Sequence, residues 1–406
     1  MLTLRPYQEV GADWLAARPA GLLCDGMRLG KTPQALLGAY RRGWTSDIVI
    51  CPAIVRTHWL REAARWTPEL KITVESYDGS RNLSKISHLM KLRADGLILD
   101  EAHYLKNPDS QRTQAIYGPH CRRRGGLAAF VGDVWPLSGT IGPNDASEIW
   151  PHLRALFDEE MGFRQWVERF CNLDVFYVPT RFGKKRIEKI SGYNLKYFDE
   201  LRQRIKPHLL RRRLREVYPD LPPLAFNEVV FDALHKRDRF APEDTTIGTH
   251  QRVGMAKVPM VAELVDGLID EQGKVVVFAW HHRVLDALQA EFKTRELNVV
   301  RVDGKMSAAK KQAAIDAFQN DHFIDIFLGQ IEACGVGIPL HAARRAVFAE
   351  LPWTPDDIFQ PAMRIFSVES EIPGEVMLCS LAGSADYKKI KEVLRKAQDH
   401  DALYNQ

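Results

Sequence analysis

Two short stretches carry residue types that do phosphate chemistry. Residues 25–32 read DGMRLGKT and residues 97–107 read LILDEAHYLKN. In the first, backbone N–H groups of a glycine-containing loop can cradle phosphates. Lys31 can neutralise charge at the β/γ positions, and the Thr32 hydroxyl can ligate magnesium. In the second, Asp100 can hold the metal, which leaves Glu101 to polarise an attacking water. A strict phosphate-loop pattern has Ala or Gly where Asp25 stands. A Gly-Lys-Thr in a surface turn, or an acidic helix start, would explain either motif alone. Their order, each behind an apolar run, points instead to a nucleoside triphosphatase.

The runs Gly21-Leu22-Leu23-Cys24 and Gly96-Leu97-Ile98-Leu99 predict that both motifs sit at the carboxyl ends of neighbouring parallel strands, where open α/β sheets bind ligands. Strand and helix patterns alternate over the first half. Ser46–Cys51 reads as a strand stopped by Pro52, and Thr57–Trp66 as a helix with Trp59, Leu60, Ala63 and Ala64 on one side. Ala128–Val131 and Pro136–Thr140 read as further strand ends. Residues 174–190 read as a small hairpin with a cationic tip. After the break YPDLPP at 218–223 the pattern resumes, with strands at 274–279, 298–302, 323–328 and 345–349 and helices at 284–292 and 307–318. The predicted class is α/β in two lobes, 1–217 and 255–406, the second ending in a helix, joined by a linker at 218–254.

Composition bounds the partners. Fifty-six basic against 52 acidic residues give +4 over 406 residues, so no global field demands a polyanion. Basic clusters at Arg122-Arg123-Arg124, Lys184-Lys185-Arg186, Arg211-Arg212-Arg213 and Lys388-Lys389 each fit a solvated face, and together fit DNA or RNA. Six dispersed cysteines without a C-x-x-C pair argue against a zinc site or a disulfide framework. No signal peptide and no membrane-length apolar run is evident, which predicts a soluble intracellular protein without a membrane partner.

Further motifs carry a family resemblance over nearly the whole chain. LRPYQ at 4–8 looks like the adenine-contacting motif of Swi/Snf-type superfamily 2 DNA translocases, and ICPAIVRTHWLREAARW at 50–66 is similar to their next motif. DEAHYLKN is close to their DEAH-x-L-K-N form, and LSGT at 137–140 with Asn144, Glu148 and Trp150 matches a further block. VVFAWHH at 276–282, VDGKMS at 302–307 and ACGVGIPLHAARRAVFAELPWTPDDIFQ at 333–360 follow in the family's order. VGMAKVPMVAEL at 253–264 and SGYNL at 191–195 resemble the annealing-helicase, or HepA-related, branch.

The resemblance implies two RecA-like lobes, each a parallel sheet flanked by helices, that bind ATP and Mg2+ in the cleft between them. The partner it implies is double-stranded or branched DNA. Carried over, Gln8 would read adenine. Asp25, Gly26, Leu29, Gly30, Lys31 and Thr32 would form the phosphate loop, and Thr32 and Asp100 would hold the metal. Glu101 would orient water, Gly335 and Gly337 would let the second lobe's backbone approach the nucleotide, and Arg364 would act as an arginine finger. Lys106, Asn107, Thr140, Lys305 and Gln330 become candidate DNA contacts, whereas Trp59, Trp150 and Trp353 read as core packing.

The implied activity is a DNA-dependent ATPase, expected as a monomer, that translocates on duplex or branched DNA to remodel forks or rewind strands. Four positions depart from the family. Gly26 replaces Glu, Arg28 replaces Gly, Ile141 replaces Pro, and Ser367 stands where a second finger arginine is usual. Arg28 fits an outward-pointing side chain better than a new phosphate or DNA contact, and it would strain the loop if that position needs a positive φ. Ser367 and Arg28 motivate the alternative, a hydrolytically weak ATP-dependent DNA clamp or recruitment module. A strand-separating helicase is a third reading, for which no wedge-like insertion is evident in the sequence. The lack of room for chromatin-binding appendages suggests a compact phage or bacterial enzyme in the cytoplasm, or a nuclear one if the host is eukaryotic.

Overall fold

The chain divides after Pro219 into two units, Met1–Pro219 and Asp220–Gln406. The structure is a computed structural model that describes residues 3–122, 124–139, 141–142, 144–180, 183–220, 224–233, 247–334, 338–352, 356–365, 374–386 and 390. Each unit is built on a six-stranded sheet whose strands all pair in parallel.

In the first unit the strands are β1 (Leu22–Leu23), β2 (Ser46–Cys51), β3 (Lys71–Ser76), β4 (Gly96–Asp100) and β5 (Asp133–Leu137). A separate hairpin of β6 (Cys171–Thr180) and β7 (Gly183–Tyr193) follows, and β8 (Leu209–Leu210) returns to the sheet. The sheet order is β3-β2-β4-β5-β1-β8. Side chains alternate between the two faces, and both faces are covered, which is why these strands read as unbroken apolar runs. Leu23, Val49, Ile98 and Trp135 pack on one side with Leu15, Ala35, Leu36 and Trp59 from helices Pro6–Ala16, Lys31–Arg41 and Arg56–Trp66. Leu22, Ile48, Ile50, Leu97 and Leu99 pack on the other with Leu89, Ile116, Leu153, Trp166 and Phe170.

Three expectations are corrected here. β1 and β4 are not neighbours, because β5 lies between them and pairs with both. The strand end expected at Ala128–Val131 is a short 3-10 turn, Leu127–Phe130, and the strand itself begins at Asp133. The hairpin is also longer at both ends than its polar tip suggested, with paired residues from Cys171↔Tyr193 to Thr180↔Gly183.

The second unit contains β9 (Ala225–Phe231), β10 (Val275–Ala279), β11 (Val299–Val302), β12 (Ile326–Gln330), β13 (Arg345–Phe348) and β14 (Glu375–Leu381). Their order is β11-β12-β10-β13-β14-β9. Residues 218–254, expected as a linker, therefore supply an edge strand that pairs with β14 along seven residues. They also supply the start of helix Ile247–Gln272. An edge strand is only half covered, so AFNEVVF mixes polar and apolar residues and resembles a loop. The strand expected from Phe323 begins at Ile326, and β14 was not anticipated. The core joins Val261, Ala262 and Val265 of the long helix to Val275, Val277, Leu328 and Val347. The expected C-terminal helix lies outside the described residues. Among those described, no helix is long and apolar enough to cross a membrane.

Asp47 in β2 is buried, and neither of its carboxylate oxygens has a hydrogen-bond partner among the described residues. Burial, reinforced by Asp95, pushes its pKa up to about 7. The folded state therefore holds a proton that the unfolded chain gives up near pH 4, and stability falls as pH rises from about 4 through 7. Asp47→Asn is expected to remove that dependence and to raise stability at pH 8 by roughly 1–3 kcal/mol. Denaturant unfolding of both proteins at pH 5 and pH 8 measures it.

Candidate nucleotide site

The phosphate loop follows β1 and closes into helix Lys31–Arg41, whose N-cap is Gly30 with φ +68°. A Cβ there would lie 2.3 Å from Gln8 Nε2, so this position requires glycine. The first turn leaves backbone N–H groups available for an anion. Lys31 Nζ donates to the carbonyl oxygens of Asp25 (2.9 Å) and Gly26 (3.4 Å). Gln8 spans the entrance: its Oε1 accepts the Arg5 N–H at 2.9 Å and its Nε2 donates to the Leu29 carbonyl at 3.2 Å. Gln8 thus sits against the loop, and Thr32 lies half-buried in the helix's first turn.

Asp25, read as part of the phosphate loop, has a fully buried carboxylate. Arg212 clamps it, with Nε at 3.0 Å and Nη2 at 2.5 Å from the two oxygens, while the Arg212 backbone N–H donates at 3.1 Å. Gln34 Nε2 adds a bond at 3.1 Å, and Arg212 also donates to Gln34 Oε1 and to the Tyr7 carbonyl. Gly11 makes room for this cluster, because a Cβ there would overlap Gln34 Oε1 and Arg212 Nη2. The triplet Arg211-Arg212-Arg213, read as a possible nucleic-acid face, therefore contributes its central member to loop architecture.

The acid pair ends β4. Asp100 Oδ2 accepts the Trp59 indole N–H at 2.7 Å, its carbonyl accepts the Tyr77 hydroxyl at 2.8 Å, and its Oδ1 accepts the Glu101 N–H at 3.0 Å. Trp59 was assigned to core packing. It is buried in the core and also orients Asp100, a role its place in an amphipathic helix does not reveal. Burial, then the charge of Glu101, pushes the Asp100 pKa up to about 6, against the Trp59 hydrogen bond and the Lys31 charge, which lower it. Lys31 is thus in electrostatic range of Asp100. A divalent cation suits this donor set, since it would favour the charged form of two crowded carboxylates, and each Asp100 oxygen keeps a lone pair to offer. Glu101 has φ +51°, a left-handed conformation costly for a side-chain-bearing residue. His103 Nδ1 lies 3.4 Å from Glu101 Oε2 and 3.3 Å from Ser138 Oγ, tying the acid to the loop after β5.

The DNA candidates fare unevenly. Lys106 Nζ is bound at 2.8 Å to Glu148, a buried carboxylate also held by Asn144. Gln330 is buried, accepts the Gly304 N–H at 2.8 Å and donates to the Trp280 carbonyl. Gln330 is tied into the fold, whereas the Lys106 side chain is 42% exposed. Asn107 is exposed and caps a local turn through the Asp109 N–H, and Lys305 is exposed. Thr140, Gly335, Gly337, Trp353 and Ser367 lie outside the described residues.

In the second unit Arg364 is buried just after helix Asp356–Ala362, and its carbonyl accepts the Leu340 N–H. Two buried networks there went unseen in the sequence. Lys257 Nζ binds Asp386 at 2.6 Å and the Cys379 carbonyl at 2.8 Å. Glu350 accepts the Trp280 and His281 N–H groups and bonds His281 Nδ1 at 2.7 Å, which fixes the end of β10.

A phosphate loop and an acid pair at the carboxyl ends of strands in one parallel sheet define a phosphate-loop nucleotidase fold, here followed by a second parallel α/β unit. Residues 7–90 and 71–239 match the SNF2-related domain, and residues 256–368 match the helicase conserved C-terminal domain. The chain belongs to the SNF2-related family. It is 27% identical over 88% of its length to the mouse DNA annealing helicase and endonuclease ZRANB3, covering 36% of that protein. It is 28% identical over 90% of its length to the Caenorhabditis elegans homolog of SWI/SNF-related matrix-associated actin-dependent regulator of chromatin subfamily A-like protein 1, covering 56% of it. The chain thus spans between a third and a little over half of these relatives. The Sulfolobus solfataricus SWI2/SNF2 ATPase core in complex with dsDNA aligns over 97% of this chain and 91% of its own, at 21% identity and TM-score 0.46.

Removing Arg212 would leave Asp25 charged and buried without its partner. Arg212→Ala is expected to cost about 3–5 kcal/mol and to weaken nucleotide binding, read together by denaturant unfolding and by titration with a fluorescent ATP analogue. Arg28 holds φ +68°, a left-handed conformation that favours glycine. Arg28→Gly is expected to raise unfolding free energy by roughly 0.5–1 kcal/mol, the opposite sign to glycine placed at an ordinary helical position.

Proposed function

We propose that this chain is an ATP-dependent DNA translocase that uses magnesium-ATP to move along duplex or branched DNA, remodelling forks or rewinding strands. The observation that carries the reading is the convergence of Lys31, Asp100 and Glu101 at one edge of one sheet, with Asp100 oriented by Trp59 and Tyr77. Magnesium, held by Thr32 and Asp100, would neutralise phosphate charge. Lys31 exchanges its carbonyl partners for the β/γ phosphates, and Glu101 orients the attacking water while His103 steadies its carboxylate. Names of the relatives support DNA as the partner: an annealing helicase for one, a chromatin-regulator subfamily for the other. Contacts to phosphates make the expected binding independent of sequence.

The clamp reading keeps one specific support, the left-handed backbone at Arg28, which could slow a loop that must rearrange around each nucleotide. Steady-state ATP hydrolysis with and without duplex DNA separates the two. Stimulation by duplex, lost by on the order of 10²–10³-fold in Lys31→Ala, is the expected result. Binding of nucleotide and DNA with no turnover above the Lys31→Ala background would replace the motor with the clamp.

A further inference from the structure

The hairpin β6–β7 takes no part in the nucleotide site, yet it is built into the first unit with care. At its base Cys171 is buried, and Leu173 and Ile190 pack against the core. Asn172 Nδ2 donates to the Tyr193 carbonyl at 2.9 Å. The Tyr193 hydroxyl donates at 2.5 Å to the carbonyl of Gly142, in the loop that also carries Ser138. Beyond the Leu173↔Ile190 pair the ladder continues from Asp174 to Thr180, about 23 Å at the usual strand rise.

That outer ladder is anomalous as protein surface. Val175, Phe176, Tyr177, Val178 and Ile187 are all exposed, Phe176 by 50% and Tyr177 by 63%. Successive side chains on a strand point to opposite faces, so the two aromatics present one ring on each side. Cross-strand register sets Ile187 beside Phe176 and Arg186 beside Tyr177. A two-stranded ribbon with both faces in water is marginal on its own, and clustered exposed apolar side chains mark a binding surface.

Charge identifies the occupant. Residues 171–193 hold five basic residues (Arg181, Lys184, Lys185, Arg186, Lys189) against two acidic ones (Asp174, Glu188), a net +3 where the whole chain carries +4. A protein-binding core would be depleted of charge, whereas rings interleaved with cations suit nucleic acid. Arg186 is paired with Glu188 at 2.8 Å, but in an exposed ion pair that a phosphate can displace. Bases in a duplex are already stacked on one another, so free rings can only be covered by unpaired bases. We propose that the hairpin is a branch-point reader: Phe176 and Tyr177 stack on unpaired bases at a junction while Arg186 and Lys189 hold the adjoining phosphates. This rests on the reading that the chain works on DNA.

The test is equilibrium binding, without ATP, of a labelled plain duplex and a labelled fork with single-stranded arms. Phe176→Ala/Tyr177→Ala is expected to lose about tenfold on the fork and nothing on the duplex, whereas Phe176→Tyr/Tyr177→Phe retains the preference. A second variant, with Asp174–Lys189 replaced by Asn-Gly joining Leu173 to Ile190, should behave as the double alanine does and guards against local misfolding. Equal losses on both probes, or no loss on the fork, would overturn the proposal. So would a wild-type dimer that the alanines dissociate, because the rings would then serve self-association. Lys31→Ala should keep the full fork preference. A failure of duplex to stimulate hydrolysis would therefore sink the motor without touching this measurement.

Discussion

Everything at the nucleotide site hangs on the burial of one carboxylate. Asp25 begins the phosphate loop and is removed from water, which is tolerable only because Arg212, Gln34 and a backbone N–H satisfy it. Arg212 lies 187 residues away and follows β8, the edge strand beside β1. The loop cannot take its final shape until the last strand of the first unit is in place. Such a pair adds little net stability over an apolar replacement, but it strongly penalises any arrangement that leaves one charge alone. Its value here is conformational: it sets the loop's entry, and with it the position of Lys31.

The acid pair follows a related logic. Two adjacent carboxylates at the end of a buried strand repel one another, and burial raises the cost. Trp59 and Tyr77 hold Asp100 from two other elements, and Glu101 is turned into a left-handed conformation. The strain is local and is supported by the surrounding core. His103 links the acid to Ser138, and the same loop reaches the hairpin through Gly142 and Tyr193. Ser138, beside His103, and Gly142, bonded by Tyr193, lie in the same short segment after β5.

The second unit uses buried polar groups in the same way. Lys257 with Asp386, and Glu350 with His281 and two backbone N–H groups, join elements distant in sequence and fix where strands end. Gln330, a candidate DNA contact from its place in a motif, belongs with these groups: it is buried and accepts the Gly304 N–H inside the fold. A polar residue in a motif can serve the motif by shaping its backbone.

The sequence by itself determined what local periodicity and local chemistry can encode. The parallel α/β character of both units follows from continuous apolar runs such as Ile48–Cys51, Leu97–Leu99 and Val275–Ala279. The helices at Arg56–Trp66 and His282–Thr294 follow from their apolar spacing, and the phosphate loop and acid pair from residue type and order. The departure at Arg28 was legible from the family resemblance, and its left-handed backbone came from the structure. What only the tertiary structure decided involves partners far apart along the chain. β5 comes between β1 and β4, an apparent linker forms an edge strand on β14, Arg212 serves Asp25, and Trp59 serves Asp100. The physical reason is common to all four. Strand order, edge pairing and the satisfaction of buried charge are settled by which surfaces meet when the sheets close, and no window of neighbouring residues contains that information.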